Sequence, residues 1–399
     1  MVVRPSGPRS AEAPPVAILY RPLRPDTVLT LFVDCSLALL VIWLGYPAVI
    51  ALIAYARAGE RRVGGVADRV RVTVIIASAD SETVIRERAS DALAGDYPAE
   101  LLNVVVGVDH TSRVDCVRIA ESDPRVRVVA GDPPGGKASA LNAAVRAATG
   151  DILIFTDSAQ RFERSAITRL VAALSDESFG AVSGALQIGR DGAPANLAER
   201  YWIFERWLRL QEARVHSAVG VTGAIYALRR TCWHPLPVGL ILDDVYVPMH
   251  LVLRGFRTGF EPSACAYDDR RFPPAQEFRR KARTLTGVLQ LCAWLPELLV
   301  PWRNPIWLQF IFHKLLRLAT PYLIIGAAVG LLAWTAQSLV LISPTLALAV
   351  VLGSLVTGVL LIAVSRPLRA ALQMALALQA ATMRATVNGL RGDWDVWSR

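Results

Sequence analysis

Lys137 follows a glycine pair, Gly135-Gly136, and twenty residues later a buried apolar run ends on an acid, Asp157. From Val126 to Gln160 the chain reads as a short strand, a glycine-rich turn, a helix and a second strand that delivers Asp157 at its carboxyl end. Ligands of an open parallel sheet collect outside the carboxyl ends of the strands, because loops converge there and helix amino termini point in. A lysine and an aspartate thus stand where a phosphate and its metal would sit. Further on comes an adjacent acid pair, Asp243-Asp244. Like charges at close range push one carboxyl pKa toward neutrality, which suits a general base, although adjacent acids also suit a solvated helix start.

The turn Gly131 to Ala138, G-D-P-P-G-G-K-A, is one residue short of a phosphate-cradling Walker loop. Ala138 has no hydroxyl to hold magnesium, and Pro133 and Pro134 remove two of the backbone N–H donors on which such a cradle depends. An ATPase reading is therefore disfavoured.

A second reading accounts for more residues. Gly136, Lys137, Leu141 and Asn142, then the strand Asp151 to Phe155 with Thr156-Asp157, resemble the G-G-K-x-x-A-L-N and T-D-A-N segments of the inverting family 2 glycosyltransferases, a group that includes cellulose, chitin and hyaluronan synthases. With the motifs below, the resemblance covers about Val72 to Gly287. It implies an α/β fold of glycosyltransferase-A type, a mostly parallel sheet with flanking helices that binds a nucleotide sugar.

The resemblance also implies roles. Asp157 would hold the divalent metal, Mg2+ or Mn2+, which prefers hard carboxylate oxygen plus substrate phosphate. Many relatives share this duty between two acids as D-x-D, whereas here Ala159 stands in the second place. Lys137 would help hold the diphosphate. Asp109, at the exit of the strand Leu101 to Val108, falls where the family's D-G-S grips the nucleobase, with His110 in place of the glycine. Asp80, after the strand Val70 to Ser78, lies near the family's P-x-x-N-E and would accept hydrogen bonds from base or ribose, with a turn aspartate as the alternative. Val221 to Arg230 resembles the strand that lines the acceptor side.

Leu242-Asp243-Asp244-Val245 looks like the family's acidic site, whose second acid is the base: Asp244 takes that role and Asp243 supports it. Between Gln276 and Gly287 the family's Q-x-x-R-W fits in two registers, Gln276 with Arg279 or Arg280 with Arg283. The second keeps the trailing glycine, so Arg280 and Arg283 are expected to stabilise the leaving diphosphate. Both registers lack the tryptophan that would stack on an acceptor sugar. A basic helix binding lipid phosphate is the competing reading.

Other elements must hold these residues at a bilayer. Of the 399 residues, 53% are hydrophobic, and the net charge of +9 comes mainly from arginines placed beside apolar segments. Lipid and phosphate are thereby favoured over nucleic acid as partners. The five scattered cysteines argue against a disulfide framework or a zinc site and suit a reducing cytosol. Residues 1–26 read as a flexible tail, 27–56 as a transmembrane helix and 70–287 as a cytoplasmic catalytic domain. Arg57, Arg61 and Arg62 place that domain inside by the positive-inside rule.

The aromatic helical stretch Leu197 to Val215 suggests packing or interfacial contact. Residues 288–318 suggest interfacial helices, and two spans, Ala319 to Trp334 and Leu339 to Val364, follow. Residues 365–399 suggest an interfacial helix or a third further span, closed by Trp394 and Trp397. The expectation is a multi-pass inner-membrane glycosyltransferase that takes a sugar, UDP-linked, to a growing polysaccharide. A lipid acceptor and a non-catalytic scaffold are the alternatives. A homo-oligomer or export partner would complete an exit path.

Overall fold

The computed structural model describes residues 25–57, 70–188, 197–268, 270 and 274–396. The expected tail up to residue 24, the charges of Arg61 and Arg62, and Trp397 lie outside the described residues. Among the described residues there are eight strands: β1 (Val72–Ser78), β2 (Leu102–Val108), β3 (Val126–Ala130), β4 (Ile152–Asp157), β5 (Arg161–Phe162), β6 (Phe179–Ile188), β7 (Tyr226–Arg229) and β8 (Arg257–Asp268). They form one sheet in the order β3-β2-β1-β4-β7-β6-β8-β5. The β3-β2-β1-β4 half is parallel, β7 runs antiparallel to both β4 and β6, and β6 pairs parallel with β8.

The helices are α1 (Pro25–Leu40), α2 (Tyr46–Ala56), α3 (Glu82–Leu93), α4 (Cys116–Ala120), α5 (Lys137–Ala147), α6 (Ala166–Ala173), α7 (Leu197–Val215), α8 (Asp243–Leu253), α9 (Pro274–Trp294), α10 (Trp307–Phe310), α11 (Thr320–Ile342), α12 (Pro344–Val364) and α13 (Arg366–Arg391). The β-branched runs of the central strands are buried on both faces, as parallel sheets require. Ile75, Val105 and Phe155 face a core shared with Leu141 and Val145 of α5, while Val74, Ile76 and Ile154 face Ile85 of α3 and Leu170 of α6.

Among the described residues, three helical runs are long and apolar enough to cross a membrane: Asp26–Ala56, Trp307–Ile342 and Pro344–Leu361. The helices differ from the expected layout in three places. Residues 307–318 do not form a separate helix. They enter a continuous helical run into α11, because Gln309 and His313 find buried polar partners on α7 instead of water. The break between the next two helices falls at Ser343-Pro344, not at residues 335–338, since Ser343 caps α12 through Leu346 N and Pro344 supplies its first turn. Likewise residues 288–294 continue α9, and a turn of 3-10 helix, Pro296–Leu299, follows. Among these helices α13, with its polar stripe, is not such a run; it packs along α9, where Asn388 donates to Thr286 Oγ1 at 3.2 Å.

Candidate active site

The carboxyl ends of β1, β2 and β4 lie side by side, with Ala77 of β1 in register with both Gly107 and Asp157. Asp80, Asp109 and Asp157 therefore emerge on one edge. Asp80 Oδ2 accepts from Ser78 Oγ at 3.2 Å and from Ser158 Oγ. Ser158, in the position between the two acids of D-x-D, thus ties the β4 exit to the β1 exit.

Asp109 is committed to the glycine turn. Its Oδ1 accepts from Thr111 N (2.9 Å) and Thr111 Oγ1 (2.6 Å), and its Oδ2 from Gly136 N (2.6 Å). The Thr111 hydroxyl and the two N–H groups hold its pKa down to about 2. Gly135 and Gly136 both have positive φ, and a Cβ on Gly135 would come within 2.5 Å of His110 Nδ1. The turn needs glycine for conformation and for room. The Gly136 N–H that a phosphate cradle would use is occupied by the Asp109 carboxylate.

Lys137 opens α5 and reaches across the sheet edge. Its Nζ lies 3.1 Å from Asp157 Oδ1 and 3.1 Å from Asp243 Oδ1. Burial would lower the lysine pKa, but Asp157, Asp243 and Asp244 outweigh it and drive it upward, so the ammonium stays charged.

Asp243 and Asp244 form the first turn of α8. Val221 N donates to the Asp244 carbonyl at 2.8 Å, fixing this turn to the loop before β7. Burial, and then the charge of Asp243, raise the Asp244 pKa to about 6, against Lys137, Arg209 and Lys314, which lower it.

Arg283 also feels these acids. Burial and Arg280 lower its pKa, while Asp244, Asp157 and Asp243 raise it, which places its charge beside the cluster. Arg280 sits 3.7 Å from Glu277 on the same helix. The glycine that trails them has a packing reason. A Cβ on Gly287 would lie 2.5 Å from Leu242 Cγ and 2.9 Å from Ile241 Cγ2, so α9 can approach the residues before Asp243 only because that side chain is absent.

The structure thus gathers Lys137, Asp157, Asp243 and Asp244 in one cluster with Arg283 beside it, and sets Asp80 and Asp109 along the neighbouring strand ends. Sequence reasoning missed two further supports. Arg88 of α3 is fully buried; its Nη2 donates to Thr156 Oγ1 at 3.0 Å, its Nη1 pairs with Asp91, and its Nε points to the Asp157 carbonyl at 3.4 Å. Burial lowers its pKa to about 10, with Asp91 acting in the other direction. Nothing local distinguishes this arginine from the exposed Arg86 of the same helix. Tyr226 is fully buried, stacks on Phe155 (4.6 Å, 6°), and leaves its hydroxyl with no hydrogen-bond partner among the described residues. Burial and the charges of Asp243, Asp244 and Asp157 drive that hydroxyl's pKa upward. The β7 sequence marks Tyr226 only as a strand residue.

The chain is 31% identical over 219 residues to a probable glycosyltransferase, YdaM, of Bacillus subtilis, covering half of each chain. It is 28% identical over 207 residues to an N-acetylglucosaminyltransferase of Mesorhizobium japonicum, covering 44% of this chain and 47% of that one. The alignments thus span about half the length of these curated relatives. Among solved structures, the mannosyltransferase PcManGT of Pyrobaculum calidifontis, in complex with GDP-Man and Mn2+, has a TM-score of 0.67 at 23% identity. That match covers 91% of this chain and 99% of the other, and shows a shared fold. The profile of glycosyltransferase-like family 2 matches residues 69–287, the segment that carries every residue of the acidic cluster, and the chain belongs to that family.

Proposed function

We propose that the protein is a membrane-bound inverting glycosyltransferase that moves a sugar from a nucleotide diphosphate donor to a hydroxyl of an acceptor held at the bilayer. The observation that carries this reading is the position of Lys137 Nζ, 3.1 Å from an acid of the strand edge and 3.1 Å from an acid of α8. One cation joins the region where a donor diphosphate would lie to the helix turn that carries Asp244. In the reaction the acceptor oxygen bonds to the anomeric carbon on the face opposite the diphosphate. The bond from that carbon to the diphosphate oxygen breaks, the electron pair leaves with the diphosphate, and the hydroxyl proton passes to the Asp244 carboxylate. The raised pKa of about 6 suits this group to accept a proton near neutrality.

Asp157 and Asp243 face a common point, now taken by the ammonium of Lys137. This donor set fits Mg2+ or Mn2+, which take one or two protein carboxylates and complete their shell with substrate phosphate and water. Asp157 would hold the ion, whose charge would neutralise the leaving diphosphate. Lys137, Arg280 and Arg283 would attract the same phosphates, and Asp80 and Asp109 would border the nucleoside. The Mesorhizobium relative's name and the donor and metal in the Pyrobaculum structure support a nucleotide-linked sugar of the N-acetylhexosamine or hexose class, with UDP as the proposed nucleotide.

The three apolar helical runs support placement in the inner membrane, with the catalytic domain on the cytoplasmic side, where Arg57, Arg366 and Arg369 flank the spans. Transfer of radiolabelled sugar from UDP-N-acetylglucosamine, UDP-glucose and GDP-mannose in membranes carrying the full chain tests the reading. Wild type transfers label and Asp244→Asn does not; equal turnover by both would remove Asp244 as the base. A product ladder identifies a growing polysaccharide, and a single band identifies one transfer to a lipid.

A further inference from the structure

The carboxyl end of α7 is completed by side chains from other parts of the chain. The last carbonyls of a helix have no partner within it and need donors from outside. Arg257 of β8 donates from Nη2 to the Ala213 carbonyl at 3.2 Å and from Nε to the His216 carbonyl at 2.8 Å. Arg57, which follows the apolar run Asp26–Ala56, donates from Nη1 to the Val215 carbonyl at 2.6 Å. Gln309, in the run Trp307–Ile342, is buried, and its Nε2 serves two carbonyls: Glu212 at 3.3 Å and Ser217 at 3.0 Å. The second apolar run thus holds both the last turn of α7 and the first residues beyond it.

The same run is fixed in register along α7. Glu205 and Glu212 stand seven residues apart, two turns along one face. Between them His313 places Nδ1 2.8 Å from Glu212 Oε1 and Nε2 2.9 Å from Glu205 Oε2, Arg317 pairs with Glu205, and Tyr46 Oη donates to Glu212. Both glutamates and His313 are buried. Sliding the run along α7 would part buried charges from their partners, which is strongly unfavourable.

From Ser217 the chain leads directly to the acid pair. Ser217, Ala218, Val219 and Val221 are all buried. Ala218 N donates to the Thr258 carbonyl at 3.0 Å, and Thr258 N donates to Ser217 Oγ at 3.0 Å. Four positions after Ser217, Val221 N donates to the Asp244 carbonyl at 2.8 Å, and a Cβ on Gly223 would sit 3.8 Å from Asp244 Oδ2. Close-packed interiors transmit displacement, so a segment this short and this buried relays the position of one end to the other.

We propose that Gln309 is a positioning residue for Asp244: the run Trp307–Ile342, seated on α7, sets residues 217–223 and through them the first turn of α8. The acid then stands in its working place only while this apolar run is docked. The effect on catalysis rests on the role of Asp244 proposed above; the mechanical link does not.

Hydrogen–deuterium exchange of the purified full chain in detergent reads the link without turnover. Gln309→Leu keeps the bulk and removes both donated bonds. Exchange in peptides covering 217–223 and 242–246 rises about three- to tenfold, the size expected for one or two lost hydrogen bonds. Over the same variant kcat falls by a similar factor, while UDP affinity stays within about twofold of wild type. Gln309→Asn, one methylene shorter, gives the same pattern and carries the test if the leucine variant does not fold. Leu208→Ala is the control for mere destabilisation, since it loosens the packing of α7 on Tyr46 and Ile50 and leaves the carbonyls untouched. It lowers the melting temperature but leaves exchange at 242–246 and kcat at the wild-type level. Wild-type exchange at 242–246 in the Gln309 variants overturns the proposal. So does a Leu208→Ala variant that reproduces both changes, which would make Gln309 one more contributor to stability. A wild type that transfers no sugar from any donor counts against the function proposed above, and the exchange comparison then decides the link by itself.

Discussion

Lys137, the first residue of α5, lies 3.1 Å from Asp243, the first residue of α8. Two helix amino termini from distant parts of the chain thus meet through one ion pair, and the acids on either side of that ammonium follow from it.

The pH dependence of transfer should carry the signature of Asp244. Its ionised form accepts the proton, so the rate should rise with pH through about 6 and level off above, and Asp244→Asn should lose both the limb and about 10²–10⁴ of the rate. The effect on stability has the opposite sign. The folded chain holds this proton more tightly than the unfolded chain does, so the resulting stabilisation is full below the ordinary aspartate pKa and lost as pH rises through about 6. Asp244→Asn should therefore melt above wild type at pH 8 in a thermal scan. A variant that melts below wild type would mean that Asp244 is well solvated.

Replacing Lys137 by Met should move the rising limb to higher pH, because the ammonium lowers the Asp244 pKa. The same variant leaves Asp157 and Asp243 facing each other uncompensated, so UDP should bind more weakly without metal and recover in part as Mn2+ is added. Calorimetry across a manganese series checks this. An unchanged affinity at every concentration would place Lys137 outside the diphosphate site.

Gly287 is a spacing residue. Gly287→Val should push α9 off Leu242 and cost about 1–3 kcal/mol of stability, the usual range for overpacking. Transfer should fall as well, since Leu242 precedes the acid pair. Pairing it with Leu242→Ala should recover part of the lost melting temperature; strict additivity of the two changes would refute direct contact.

Arg88→Met removes a buried cation from Asp91 and Thr156. Complete loss of a buried pair costs about 3–5 kcal/mol, and Asp91 is partly solvated, so about 2–3 kcal/mol is expected here. Urea unfolding measures it. Arg88→Lys should not restore stability, because an ammonium cannot serve Thr156, Asp91 and the Asp157 carbonyl together.

Local rules made much of the fold legible. The β-branched runs at β1, β2 and β4 announce strands buried on both faces, and the limits of α7 match the stretch marked by helical spacing. The divisions among the long apolar helices were less legible. Whether residues 305–318 lie on a bilayer surface or continue into a span depends on the buried glutamates of α7 that receive His313, and hydropathy along one segment does not register a distant partner.

The site divides in the same way. The sequence by itself supplied the acids, the glycine turn and the basic helix, because family resemblance and chemical type reside in single residues and their spacing. Only the tertiary structure decided which acids share an ammonium, that Asp109 spends its oxygens on Thr111 and Gly136, and that the buried Arg88 reaches the Asp157 carbonyl. A charge acts through space over several ångströms regardless of its place in the chain, so its partner is fixed by the packing of sheet and helices.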